Sequence, residues 1–418
     1  MSVYFYLSIV TIIIGVLVSL FRLKTPVNPI VAFAGPWFIV LVYSVSLDRL
    51  PIASNKTYQI IFYGLLSFIL GVFVLDIFQR KITVNVKKER VTELNKKIVY
   101  FLIFISIIFY LKNLLFFYTR GMFGLDQIIA AIQSGNGPNN PVFLSDWIVL
   151  PSLYAIGASV ISSWVLGDKD KKLLFTTVVM YLLAGLSTGS KTLMVLLLVF
   201  LLVAIMVTGE VKLNFKKSVA ILLVVASIYL VFLVTANSRN QFSNDLTKYE
   251  LGIPPRMFQI WSDKLEGTNL MGYGEASLAG LLQSIVPIAK RIAPFIDFSH
   301  FDTIYDWTIS TDSTWVNPGT NIPANAYVSC FYFFYLDFRV IGVFTFSFIT
   351  GAISAILYNL ARKQNIGIYL SIYIVFFYQL LYSFIRSNFS IVGWALAFLY
   401  LYLFWKKGSK KKVVFKLL

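Results

Sequence analysis

Apolar runs about one bilayer thick alternate with short polar breaks along most of this chain. A window of roughly 20 residues, the length a helix needs to cross hydrocarbon, divides them into spans. The pattern predicts spans near 3–21, 29–47, 57–78, 98–118, 147–166, 173–187, 192–208, 218–236, 338–361, 366–385 and 388–405, eleven in all. The sixth and seventh are parted only by the short polar string Ser187-Thr188-Gly189-Ser190-Lys191. Between the eighth and ninth, residues 237–325 hold no membrane-length run and form one large inserted loop. The expected fold is an all-α polytopic membrane protein, a single domain over 1–418, with short interfacial helices in that loop.

Composition agrees: 58% of the 418 residues are hydrophobic and 13% are charged, far too apolar for a soluble fold. In a membrane protein the net charge of +17 reports which side each loop faces before it reports a nucleic-acid partner, and none is expected. With the amino terminus outside, 23 of the 36 lysines and arginines fall in loops assigned inward, so the inserted loop faces outward and the carboxyl tail is cytoplasmic. The first apolar run has no basic residue before it and Arg22 and Lys24 after it, the reverse of a secretory signal, so it stays as a span. Lys112 lies inside the fourth span near its outer end, where a long side chain can reach the headgroups. The lone Cys330 forms no intrachain disulfide, and no Cys/His spacing resembles a metal site.

The insert holds six bases, Arg239, Lys248, Arg256, Lys264, Lys290 and Arg291, against nine acids. Because it is net acidic, an anion site there has to be a local constellation. Pro254-Pro255 just before Arg256 predicts a helix start, and a guanidinium at a helix amino terminus suits an anion that joins it. From Ala276 to Ile292 apolar residues recur at helical spacing and end in Lys290-Arg291, an interfacial helix with its basic end at headgroup height. Around His300 the string Asp297-Phe298-Ser299-His300-Phe301-Asp302, followed by Tyr305, Asp306, Trp307, Asp312 and Trp315, mixes carboxylates, an imidazole and aromatic planes, which suits a carbohydrate. His300 or Asp302 would take a proton from an attacking hydroxyl. Lys191 and Arg386 stand at outer ends of spans, and Asp337 and Arg339 sit where the ninth span begins, explained by a local ion pair.

The strings Gly185-Leu186-Ser187-Thr188-Gly189-Ser190-Lys191-Thr192, Gly272-Tyr273-Gly274-Glu275-Ala276-Ser277, and Asn317-Pro318-Gly319-Thr320-Asn321 followed by Tyr335-Leu336-Asp337-Phe338 resemble the bacterial polysaccharide-repeat polymerases, the O-antigen or Wzy-type family. Each string is short, and the resemblance rests on their order together with the topology. Arg256 and Gly267 also fit a family spacing of arginine, ten residues, glycine. The chain departs from the family in having Arg339 where glycine is usual and Lys191 where arginine is more frequent.

The resemblance implies a glycosyltransferase of the bacterial cytoplasmic membrane that joins undecaprenyl-diphosphate-linked oligosaccharide repeats into O-antigen or capsular polysaccharide, without a cofactor or metal. Its companions would be membrane lipid, a chain-length regulator and a flippase. Arg256, His300 and Asp302 are the expected catalytic residues. Arg239, Lys290, Arg291, Lys191, Arg386, Tyr273 and Trp307 are the expected substrate contacts. A ligase that hands finished glycan to another acceptor would use a similar site, and the sequence leaves that choice open. A polysaccharide or lipid-linked glycan transporter would need polar groups in mid-span, and apart from Lys112 the span interiors are nearly free of charge.

Overall fold

The computed structural model describes residues 2–47, 50–81, 92–209, 249–319, 323–364 and 366–407. The eighth expected span, 218–236, lies outside them. The first helices are α1 (Val3–Leu23), α2 (Pro29–Ser46), α3 (Asn55–Lys81), α4 (Lys96–Tyr118) and a short α5 (Leu125–Gln133). A π-helical segment, Phe143–Val149, runs into α6 (Leu150–Val165), followed by α7 (Lys171–Thr188) and α8 (Lys191–Thr208). The insert contributes α9 (Pro254–Glu266), α10 (Ala279–Ile292) and α11 (Ser299–Ser313). The chain returns through α12 (Ser329–Gln364), α13 (Gly367–Leu381) and α14 (Val392–Phe404).

Among the described residues six helices are long and apolar enough to cross a bilayer: α1 to α4, the π segment with α6, and α12. Shorter apolar helices cover Val195–Thr208, Gly367–Leu381 and Val392–Phe404. The chain is thus a multi-pass, all-α membrane protein by the length and composition of its helices. The polar string at 187–191 divides two helices for a local reason. Gly189 ends α7 in the left-handed conformation (φ 66°), and Ser190 caps α8 by accepting the Leu193 N–H.

Among the described helices the most extensive packing joins α3 to α12, and it depends on missing side chains. A Cβ on Gly71 would lie 2.2 Å from the Phe348 carbonyl oxygen, and one on Gly351 would lie 2.2 Å from that of Phe68. With only hydrogen there the two backbones approach closely, the usual means of packing helices when lipid is as apolar as the side chains. Ser67 Oγ donates to the Phe344 carbonyl across the same contact.

Contacts at each end of the bundle join loops that charge counting assigns to one side. At one end Arg22 pairs with Asp76 at 2.6 Å, Lys96 bridges Asp168 and Asp170 at 3.0 Å each, and Arg362 donates to the Leu23 carbonyl. There too Thr92–Leu94 pairs antiparallel with Trp405–Lys407, in the register Glu93 to Lys406. At the other end the insert folds onto α2, α3, α12 and α14. Lys112 belongs to that end: it is exposed and reaches Asn140 in the turn after α5.

Candidate functional site

The platform for the insert is a break in a spanning helix. Inside α12, Phe338 (φ −144°, ψ 30°) and Arg339 (φ 53°, ψ −139°) leave helical geometry at the place where sequence puts the start of the ninth span. A break in a membrane helix frees backbone groups that only other protein can satisfy. Here the segment 272–277 does so: Gly272 N–H donates to the Leu336 carbonyl at 3.0 Å and Tyr273 N–H to that of Asp337 at 3.3 Å. The Asp337 side chain, fully buried, accepts the Ala276 and Ser277 N–H groups at 2.9 Å each and the Ser277 hydroxyl. Gly272 is required, because a Cβ would lie 2.4 Å from Asp337 Oδ1.

Arg339 turns the other way and donates from Nη2 to the carbonyls of Leu265, Thr268 and Leu270, which end α9 and lead out of it. The expected ion pair between Asp337 and Arg339 is therefore corrected. The break aims the two side chains at different stretches of insert backbone. Glu266 adds a third tie, accepting from Lys56 at 2.5 Å and from the Tyr335 hydroxyl. Burial pushes this carboxyl up, but those two hydrogen bonds outweigh it and hold Glu266 below the ordinary carboxylate value.

On this platform the structure brings together five of the nominated residues and one that was not nominated. Tyr273, held at φ 50° and 65% exposed, lies with its ring 5.8 Å from that of His300. Glu275 Oε2 is 2.8 Å from His300 Nδ1. Two residues further along the first turn of α11, Asp302 pairs with Lys290 at 2.6 and 2.7 Å, which fixes the end of α10 beside the start of α11. Arg291 follows Lys290 and is exposed, with no ion-pair partner among the described residues.

The second face of α10 explains its position. Ala279, Gly280, Ser284 and Val286 are buried, and Gly280 sits so close to α14 that a Cβ would lie 2.5 Å from the Ile391 carbonyl. The opposite face leaves Leu281, Ile285 and Ile288 exposed, and beyond the basic pair Ile292 is 77% and Phe295 86% exposed. An apolar stripe that ends in two cations is the pattern of a helix lying at a lipid interface.

The remaining nominees stand elsewhere. Arg256 is in the first turn of α9 as expected, but donates from Nε to the Pro318 carbonyl at 3.1 Å and from Nη1 to Gln259 Oε1 at 2.9 Å. Gln259 Oε1 also accepts the Ser54 N–H, so this arginine stitches α9 to the 317–319 turn and to the start of α3. Arg386 pairs with Asp312 at the far end of α11, donates to Ser390 Oγ at 3.0 Å and lies over the Phe333 ring. Trp307 packs edge-on against Trp261 at 6.5 Å. Arg239 lies outside the described residues, and Lys191 opens α8 without a described side chain.

Sequence reasoning gave no site role to Glu275 or Gln259 and read Asp337 only as half of a local ion pair. Glu275 and Asp337 were inside the motif strings, but nothing local announces that Asp337 meets Ala276 and Ser277, 61 and 60 residues away, over a helix break. Among the described residues no three His, Cys, Asp or Glu side chains gather as a metal set. No protein-family model, curated protein or solved structure matches the chain.

Proposed function

We propose that this chain is a membrane glycosyltransferase that polymerises undecaprenyl-diphosphate-linked oligosaccharide repeats at the outer face of a bacterial cytoplasmic membrane. In this reading eleven spans carry the insert on the outside. One observation carries it: an oriented imidazole and a basic pair share one helix junction, at the edge of an exposed apolar stripe. A polyprenyl diphosphate presents the same sequence of chemistries, hydrocarbon, then anion, then sugar.

In this reading the clustered residues take the following roles. Glu275 accepts the Nδ1 proton of His300, which leaves Nε2 as the free base, the tautomer being set by the partner. The acceptor hydroxyl gives its proton to Nε2 while its oxygen bonds to the anomeric carbon of the donor. The bond from that carbon to the diphosphate oxygen breaks with both electrons. Lys290 and Arg291 meet the departing charge, each charged hydrogen bond contributing roughly 1.5–3 kcal/mol. Tyr273 supplies a plane for a sugar face.

Deletion of the gene followed by glycan sizing tests this. A pile-up of single repeats on lipid supports a polymerase. Lipid-linked polymer left untransferred would replace it with a ligase, and loss of exported units with a transporter.

A further inference from the structure

Away from the His300 cluster, at the same end of the bundle, the outer ends of α4 and α7 and the π-helical segment surround a cleft of about 680 Å³. That size is within the roughly 300–1,000 Å³ of small-molecule sites. Phe109 and Tyr110 form an apolar wall, while Asn113, Asn140, Asp146 and Thr188 bring polar groups to it. Asn113 is only 4% exposed, and its Oδ1 accepts from Asn140 Nδ2 at 3.1 Å, so its own amide nitrogen is left for another acceptor. Asn140 is in turn held by Lys112 at 3.4 Å. Asp146 stands in the π-helical stretch, a rare local geometry that recurs at functional sites.

The charge of the lining decides what fits. Among the described residues that line it there is no lysine or arginine; Asp146 supplies a carboxylate, and the Lys112 ammonium behind it is turned to Asn140 Oδ1, so the lining does not favour a diphosphate. Amides, hydroxyls and a carboxylate beside aromatic carbon instead match a neutral, hydroxyl-rich ligand. The Tyr305 hydroxyl is held in its protonated form first by burial and next by the nearby Asp146 charge, and Tyr305 stacks on Phe301, the neighbour of His300.

We propose that this cleft is a saccharide subsite that holds a sugar of the acceptor repeat, with Asn113, Asn140 and Asp146 as its hydrogen-bonding groups. The inference rests on the polymerase reading for the word acceptor, and on the cleft's own lining for the word saccharide.

The test is hydrogen exchange on the full chain in lipid nanodiscs, with two probes. One is the repeat oligosaccharide released from its lipid carrier by mild acid; the other is inorganic pyrophosphate. The oligosaccharide is expected to protect residues 135–149 and pyrophosphate to leave them unchanged. Asn140→Ala, in an exposed turn, should weaken the oligosaccharide protection about tenfold, the loss of one or two hydrogen bonds. Asp146→Asn should do the same with the fold intact. No protection by the oligosaccharide, equal protection by pyrophosphate, or wild-type affinity in both variants would overturn the proposal. Normal polymer from a deletion strain removes the polymerase reading without altering the protection experiment, so the two failures are told apart.

Discussion

Replacing Asp337 by alanine tests how the insert is held. The substitution leaves the Ala276 and Ser277 N–H groups buried without an acceptor, at a cost of roughly 1–3 kcal/mol each, about 2–6 kcal/mol together. Removing a fully buried carboxylate also relieves its own desolvation, which places the net effect near the lower end, about 2–3 kcal/mol. That corresponds to roughly a 30- to 150-fold rise in local opening of the segment. Asp337→Asn keeps one carbonyl oxygen but turns an amide N–H2 toward the other donor, so about half of the loss is expected. The assay is hydrogen exchange of 272–278 in nanodiscs, read beside polysaccharide chain length. Polymer extension should fall with protection, because Glu275 rides on this segment. Unchanged exchange at Ala276 and Ser277 in the alanine variant would refute the claim that the broken helix anchors the site.

Further outcomes follow from the other contacts. His300→Ala should abolish extension with the protein still inserted, while Glu275→Gln, which removes the charge but keeps an acceptor, should lower the rate about tenfold and leave substrate binding; full activity of His300→Ala would shift the role of base to Asp302. Arg256→Ala should lose chain extension and loosen the 317–319 turn, and Arg256→Lys should recover little, because one ammonium does not reach both the Pro318 carbonyl and Gln259; near-normal polymer from the lysine variant would show that charge alone matters there. Glu266 has a folded value below its ordinary 4.5, so its contribution is complete above pH 4.5 and is lost as pH falls through the lower folded value. Thermal melts from pH 7 to 3 should show a stability difference between the wild type and Glu266→Gln that shrinks on acidification, and a constant difference would contradict the assignment.

Much of the fold is readable along the chain. Apolar runs, the glycine and serine between α7 and α8, and the proline pair opening α9 act over one or two turns, so their consequences are local. The amphipathic stripe from Leu278 to Ile292 is equally local, as are the aromatic and acidic residues around His300. What the chain alone obscures is the break at Phe338 and Arg339, since a run of apolar residues looks the same whether or not its helix is interrupted. The mutual pairing expected of Asp337 and Arg339 failed for that reason: their proximity in sequence says nothing of a backbone turn that sends them apart.

Membrane class, the polar insert and the residue types of the candidate site can be read along the chain, because hydropathy and helical period are properties of neighbouring residues. Tertiary structure decided which of those residues meet. Glu275 finds His300, Asp302 finds Lys290, and Arg256 and Arg386 turn to other partners. Those choices depend on how the insert satisfies the backbone groups that an interrupted helix leaves bare, and that requirement exists only once the helix has been packed.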